Sequence, residues 1–283
     1  MPSLLQIALG LFLPALICGL LLLVAQRGSE AVRFGASGLA FGLAWFVAYL
    51  AWAGWPAWPS HGRTLAARDW LAWIVLLYGV SPLLVLGGVP ANAFARLARP
   101  IFSAAVPGFL LHVLTQRSGS WSTPVVLALA TLCVWSLADR WIPRVDGPRA
   151  PLALLVTAIG TSIASLHCHS ALIASLAGAL ATCLGATVVL TLLVPSFRLE
   201  SSASGAIVLV LAGCLVNVRF FAFPTLPVWS ALLLCGSVLA PALLDFRGPK
   251  RVGAHGSWKD AALASGLALG PAALAVWIAW TPG

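Results

Sequence analysis

Charge is what this chain has least of. Only 8% of its 283 residues are Asp, Glu, Lys or Arg, against roughly 25% in an ordinary soluble domain. So few charges cannot cover a body of this size in water, and the solvent they imply is lipid. Acidic residues are scarcer still, seven against sixteen basic ones, and none lies in the middle of an apolar run. That argues against a proton or ion pump built on a mid-membrane carboxylate. The six cysteines include no CxxC pair, and most sit in apolar stretches, where Cys packs as a small apolar residue. The basic residues form no patch, so the net charge of +9 is no sign of a nucleic-acid partner. The first residues, MPSLLQIALGLFLPALICGLLLLVAQR, lack the basic start and small-residue cleavage site of a signal peptide. They read as an uncleaved first span.

What is present is hydrophobic: 61% of the residues, gathered into long Leu- and Ala-rich runs. Continuous runs favour helices over the short alternating strands of a barrel. Each crossing of a hydrocarbon core about 30 Å thick needs roughly 20 residues. The expected spans are 3–25, 34–54, 70–89, 100–116, 122–139, 151–168, 172–195, 204–219, 226–244 and 261–280. The whole of 1–283 is then a single membrane domain, an all-α polytopic bundle of about ten transmembrane helices. Residues 150–196 form one apolar run that would extend roughly 70 Å as a single helix, so it must fold back. Its most polar point is His167-Cys168-His169-Ser170.

Charge orients the bundle. Loops after odd-numbered spans hold Arg27, Arg33, Arg96, Arg99, Arg140, Arg144, Arg149, Arg198, Arg247, Lys250, Arg251 and Lys259. The other side holds Arg63, Arg68, Arg117 and Arg219. Cationic loops stay in the cytoplasm, which puts both termini on the non-cytoplasmic side. Anionic lipid headgroups are the expected partners of the cationic face. Trp52, Trp55, Trp58, Trp70, Trp73, Trp121, Trp229, Trp277 and Trp280 then fall near the outer boundary, and Trp135, Trp141 and Trp258 near the inner one, at headgroup depth.

Spans six and seven are dense in small residues, from Gly160 and Ala164 to Gly185 and Ala186. Small side chains let helices approach closely in lipid, so this hairpin is expected at the centre of the bundle or at a subunit contact. The halves also share a faint echo, Pro100-Ile101-Phe102-Ser103-Ala104 against Pro227-Val228-Trp229-Ser230-Ala231, of the kind an inverted repeat leaves.

Two groups of residues are candidates for chemistry. Thr157, Thr161, Ser165 and His169 recur every fourth residue and line one helix face. They mark a substrate path, unless the hydroxyls only bond back to carbonyls one turn earlier. His167, Cys168 and His169 at the turn offer imidazole and thiolate ligands for a metal or haem iron, with His61 or His112 as further ligands.

Gly35-Ala36-Ser37-Gly38 resembles the GxSG of rhomboid intramembrane serine proteases. The resemblance covers about ten residues and implies Ser37 as nucleophile with His169 or His167 as base. The charge rule instead sets Ser37 and the histidines at opposite faces, roughly 30 Å apart. A helix-packing role for the glycines is the other reading. No catalytic residue is assigned.

The expected function is that of a polytopic protein of a bacterial inner membrane. It is transporter-like, with a neutral or lipid-like substrate, or a non-catalytic subunit beside other membrane subunits. The alternative is an outer-face metal or haem binder at His167 and His169. Beyond that alternative the residues specify no cofactor.

Overall fold

The computed structural model describes residues 3–57, 66–145, 147–194, 197–247 and 258–280. Trp58, His61, Arg63, Lys250, Arg251 and His255 lie outside them. Among the described residues the chain is helical, with no strand.

Helix α1 (Leu4–Ala25) includes one π-helical turn over Ala8–Phe12. Its start is a reciprocal cap: the Ser3 hydroxyl accepts from the Gln6 amide, and the Gln6 side chain accepts from the Ser3 amide, each at 3.1 Å. Helix α2 (Glu30–Ala53) begins at Ser29, whose hydroxyl accepts from the Val32 amide, and ends at Gly54 with φ 79°. That left-handed conformation favours glycine. Then follow α3 (Ala67–Val80, with a 3-10 turn to Val85), α4 (Ala91–Leu110), α5 (His112–Ser118) and α6 (Ser122–Trp141, with a 3-10 turn to Arg144). The rest are α7 (Arg149–His167), α8 (Ala171–Leu193), α9 (Ser201–Phe221), α10 (Val228–Leu239, continued by a 3-10 segment) and α11 (Trp258–Trp280).

Eight of these helices are long and apolar enough to cross a membrane: α1, α2, α3, α6, α7, α8, α9 and α11. Helix α10, with its extension to Leu243, is a shorter apolar helix. Helix α4 is where sequence and structure part most. It starts nine residues before the expected span at 100–116, takes Arg96 and Arg99 into its first turns, and ends at Leu110. The faint repeat does not survive: Pro100 lies inside α4, whereas Pro227 is the N-cap of α10.

Contacts between distant residues order the helix ends. At one end the Phe34 and Phe94 rings meet edge to face, 5.8 Å apart, Arg33 approaches Glu200 at 3.9 Å, and Arg99 pairs with Asp139. The starts of α2, α4 and α9 thus meet the last part of α6. At the other end Trp70 stacks on Phe109 at 4.5 Å, the Tyr49 hydroxyl donates to Asp69, and His167 stacks on Trp280 at 5.2 Å. Successive long helices therefore run up and down. Helix α4 spans between the two ends, from Phe94 beside Phe34 to Phe109 on Trp70.

Helix α9 is the enclosed centre, with 78% of its apolar window buried, against 56% for α7 and for α8. The small-residue hairpin is thus not the most enclosed element. It packs α7 on α8 and passes its flanks to α11, α1 and α2. The outer helices leave large apolar side chains uncovered: Leu5, Phe12 and Leu16 on α1, Val126 and Leu129 on α6, Leu263 and Trp277 on α11. In water this would be a large unpaid exposure; against acyl chains it costs nothing.

Glu200, just before α9, is a half-buried acid at the basic end. Burial pushes its carboxyl above the usual range; Arg33 and Arg198 pull it down, and Glu30 raises it further.

Candidate functional site

Two polar features sit inside this apolar bundle. The first is at the basic end. Arg99, two turns into α4, forms an ion pair with Asp139 near the end of α6. The Ser204 hydroxyl of α9 donates to Asp139 Oδ1 at 2.7 Å. Above it the Tyr78 hydroxyl donates to the Ser202 carbonyl at 3.0 Å, and the Ser202 hydroxyl donates to the Phe34 carbonyl. The Trp135 ring packs edge-on against Tyr78, 5.2 Å away. The Asp139 side chain is only 4% exposed, so its charge depends on these partners. The cluster ties α2, α3, α4, α6 and α9 together and leaves a void of about 10 Å³ beside Arg99, at the lower limit for one water. Sequence reasoning placed Arg99 in a loop and Asp139 at a span end, and missed the pair. The chain gives no local signal for it, because the two residues lie far apart and on different helices.

The second feature is a cavity of about 390 Å³ between α6, α7, α9 and α10. Ligand pockets begin at about 300 Å³. Its walls are nearly all apolar: Leu127 and Val134 from α6, Leu211 and Leu215 from α9, Leu234 and Val238 from α10. Small residues at Ala130, Ala212 and Ala231 leave the space open. Along α9 the lining runs from Val208 to Phe220, about 18 Å of helix. Lining residues Val228 and Leu232 are about half exposed, at 51% and 54%, and Ala130 and Thr123 are exposed as well. The cavity therefore opens sideways between α6 and α10, toward the surface that carries the uncovered apolar side chains.

Polar groups in the cavity are few. Thr131 and Thr161 donate back to the carbonyls of Leu127 and Thr157, at 2.8 and 2.9 Å. Thr157 lies 3.2 Å from the Ala153 carbonyl and 2.9 Å from the Ser237 hydroxyl of α10. Arg219 is the one charged lining residue, at the end remote from Arg99 and Asp139.

Of the four residues on the hydroxyl stripe, Thr157 and Thr161 line this cavity. Ser165 is buried and donates to the Thr161 carbonyl at 2.7 Å. His169 is exposed at the turn between α7 and α8, with φ 56°. Neither lines the cavity. The back-bonding costs the stripe its free donors, though each hydroxyl oxygen still has a lone pair to offer.

At the same turn His167 stacks on Trp280, Cys168 is buried, and burial pushes its thiol above the ordinary value. His112 instead lies 3.0 Å from the Gln116 side chain on α5. Among the described residues no three His, Cys, Asp or Glu side chains come together as a metal would need; His61 lies outside them.

Ser37 is buried, and its hydroxyl has no hydrogen-bond partner among the described residues. Its neighbours belong to the basic end: Gly35 faces Leu83, and Gly38 faces Pro82 and Ser202. The turn with His167 and His169 is at the other end, so nucleophile and base are not brought together.

No family model, curated protein or solved structure matches the chain.

Proposed function

We propose that this chain is a ten-span membrane protein that takes an amphipathic, lipid-like substrate sideways from the bilayer into the cavity between α6, α7, α9 and α10. The eight helices long and apolar enough to span are joined in this reading by α4 and α10. The cytoplasm lies at the end bearing Arg33, Arg99 and Arg140, and both termini lie on the other side. The membrane is the inner membrane of a bacterium.

The observation that carries the reading is the lateral opening. A water-soluble substrate needs a polar route from one face, whereas this cavity is lined by Leu, Val and Ala and opens where acyl chains would lie. Thr157 and Thr161 are its inner polar contacts. In this reading the cluster of Arg99, Asp139 and Ser204, beyond Val134 and Val208 at the cytoplasmic end, holds that side closed, and alternate opening there would complete a transfer step.

Transfer is tested in liposomes holding purified protein and a fluorescent phospholipid. Bleaching the outer leaflet with dithionite should expose protein-dependent movement between leaflets. Ala231→Trp, which fills the cavity from α10, should reduce that movement by at least tenfold while the protein stays monodisperse. Movement no faster than in empty liposomes would end the transfer reading and leave a structural subunit.

Sidedness has its own test. In a background without native cysteines, His169→Cys should react with a membrane-impermeant maleimide on intact cells. Arg198→Cys should react only after the cells are opened. The reverse pattern would invert the topology.

A further inference from the structure

We infer that the cavity is built for a lipid with an anionic headgroup, and that Arg219 is the residue that recognises it. This inference rests on the lateral-cavity reading above and deepens it.

Arg219 lies two residues before the end of α9, half-buried, on the cavity wall. Three other arginines have a carboxylate nearby: Arg33 is 3.9 Å from Glu200, Arg68 is 3.9 Å from Asp69, and Arg99 pairs with Asp139. Arg219 has no carboxylate within salt-bridge reach among the described residues. Its guanidinium carbon sits 5.8 Å from the centre of the Phe220 ring, which lines the same cavity. The ring steadies the cation without neutralising it. A planar guanidinium with open donors at the rim of an apolar cavity suits a phosphate oxygen pair.

The surroundings add to the charge. Helices α6 and α10 both start at this end, and Thr123 and Val228 from their first turns line the cavity. Their N-terminal dipole ends are partly positive. The C-terminal end of α9 is partly negative, and Arg219 stands on it and offsets it. Below Arg219 the α9 wall is apolar for about 16 Å of helix. Charge at the rim and hydrocarbon beneath match a phospholipid held head outward, one chain in the cavity and the other in the bilayer. A free phosphate would leave the apolar depth unused. A lipid without a phosphate would leave the guanidinium without a counter-charge, and a zwitterionic one offers a phosphate already offset by its own ammonium group.

The test uses the full chain in vesicles of phosphatidylcholine. These carry trace phosphatidylglycerol or phosphatidylcholine with a photoactivatable group in one acyl chain. Crosslinked peptides are then mapped. The wild-type chain should crosslink within Leu127–Val134 and Ala231–Val238, with phosphatidylglycerol favoured roughly fivefold, the preference one basic side chain at a membrane surface confers. Arg219→Gln should abolish the preference by lowering phosphatidylglycerol capture alone, and Arg219→Lys should retain most of it. Equal capture of both lipids by the wild-type chain, at cavity peptides, would overturn the role of Arg219 and leave the lateral cavity standing. Absence of crosslinks at those peptides for either lipid would overturn both.

Discussion

Gly42→Val is expected to abolish accumulation of folded, monodisperse protein. Helices α2 and α3 touch backbone to backbone at this residue. A Cβ added to Gly42 would lie 2.5 Å from the Gly79 Cα and 3.1 Å from the Val75 carbonyl oxygen. A Cβ added to Gly79 would lie 2.8 Å from the Gly42 Cα. The obstacle is backbone in each case, so no rotamer change relieves it, and the helices must separate. Overpacking costs about 1–3 kcal/mol even where side chains can shift, and here the cost should exceed that range. The loss spreads, because α2 also packs on α9 and α8. Gly42→Ala should already lower the thermal midpoint in detergent by several degrees. Gly185 and Gly236 have nothing within 4 Å of an added Cβ, so alanine there should change little. If Gly42→Ala and Gly185→Ala melted together, the close approach would not be what holds α2 to α3.

This contact also gives the Gly-Ala-Ser-Gly string a physical role. Gly35 and Gly38 continue the row that ends at Gly42, and they let Leu83, Pro82 and Ser202 approach α2. In lipid, where apolar side chains gain little by leaving their solvent, such close packing is a main source of helix association.

The second large effect is expected at Asp139. Asp139→Ala removes the carboxylate that holds Arg99 and leaves a guanidinium inside the bundle without its counter-charge. Breaking one side of a buried pair costs about 3–5 kcal/mol. The lower end applies here, since the Arg99 side chain is 30% exposed and can still reach water. The double change Arg99→Met with Asp139→Leu should recover most of that loss, because it removes both charges together. Thermal unfolding of Arg99→Met, Asp139→Leu and the double variant closes the cycle. A double variant no more stable than Asp139→Ala would mean that the pair is not what neutralises this end. The Ser204 hydroxyl also loses its acceptor at Asp139 Oδ1, but it retains the Ser201 carbonyl at 2.7 Å, so its share of the effect is small.

Arg99 explains why α4 was misjudged from sequence. Arg96 and Arg99 read as a loop because a lone charge in hydrocarbon is costly. The cost disappears once Asp139, forty residues further along, supplies the counter-charge. Helix α4 can then begin before Pro100 and carry Arg99 inward, while Arg96 stays exposed. Hydropathy along one segment holds no information about which other segment neutralises it.

The sequence by itself determined that the chain is helical and built for lipid. It located the turn at Cys168–Ser170, where the most polar residues interrupt an overlong apolar run. These properties are sums over neighbouring residues, so a single stretch contains them. Only the tertiary structure decided that α9 is the centre, that Arg99 meets Asp139, and that Thr157 and Thr161 share a lateral cavity with Arg219 while Ser165 and His169 do not. Each of those depends on distances between helices, set by how small and large side chains interlock across them. A void, moreover, belongs to no residue: it exists only where Ala130, Ala212 and Ala231, on three helices, decline to fill the same space.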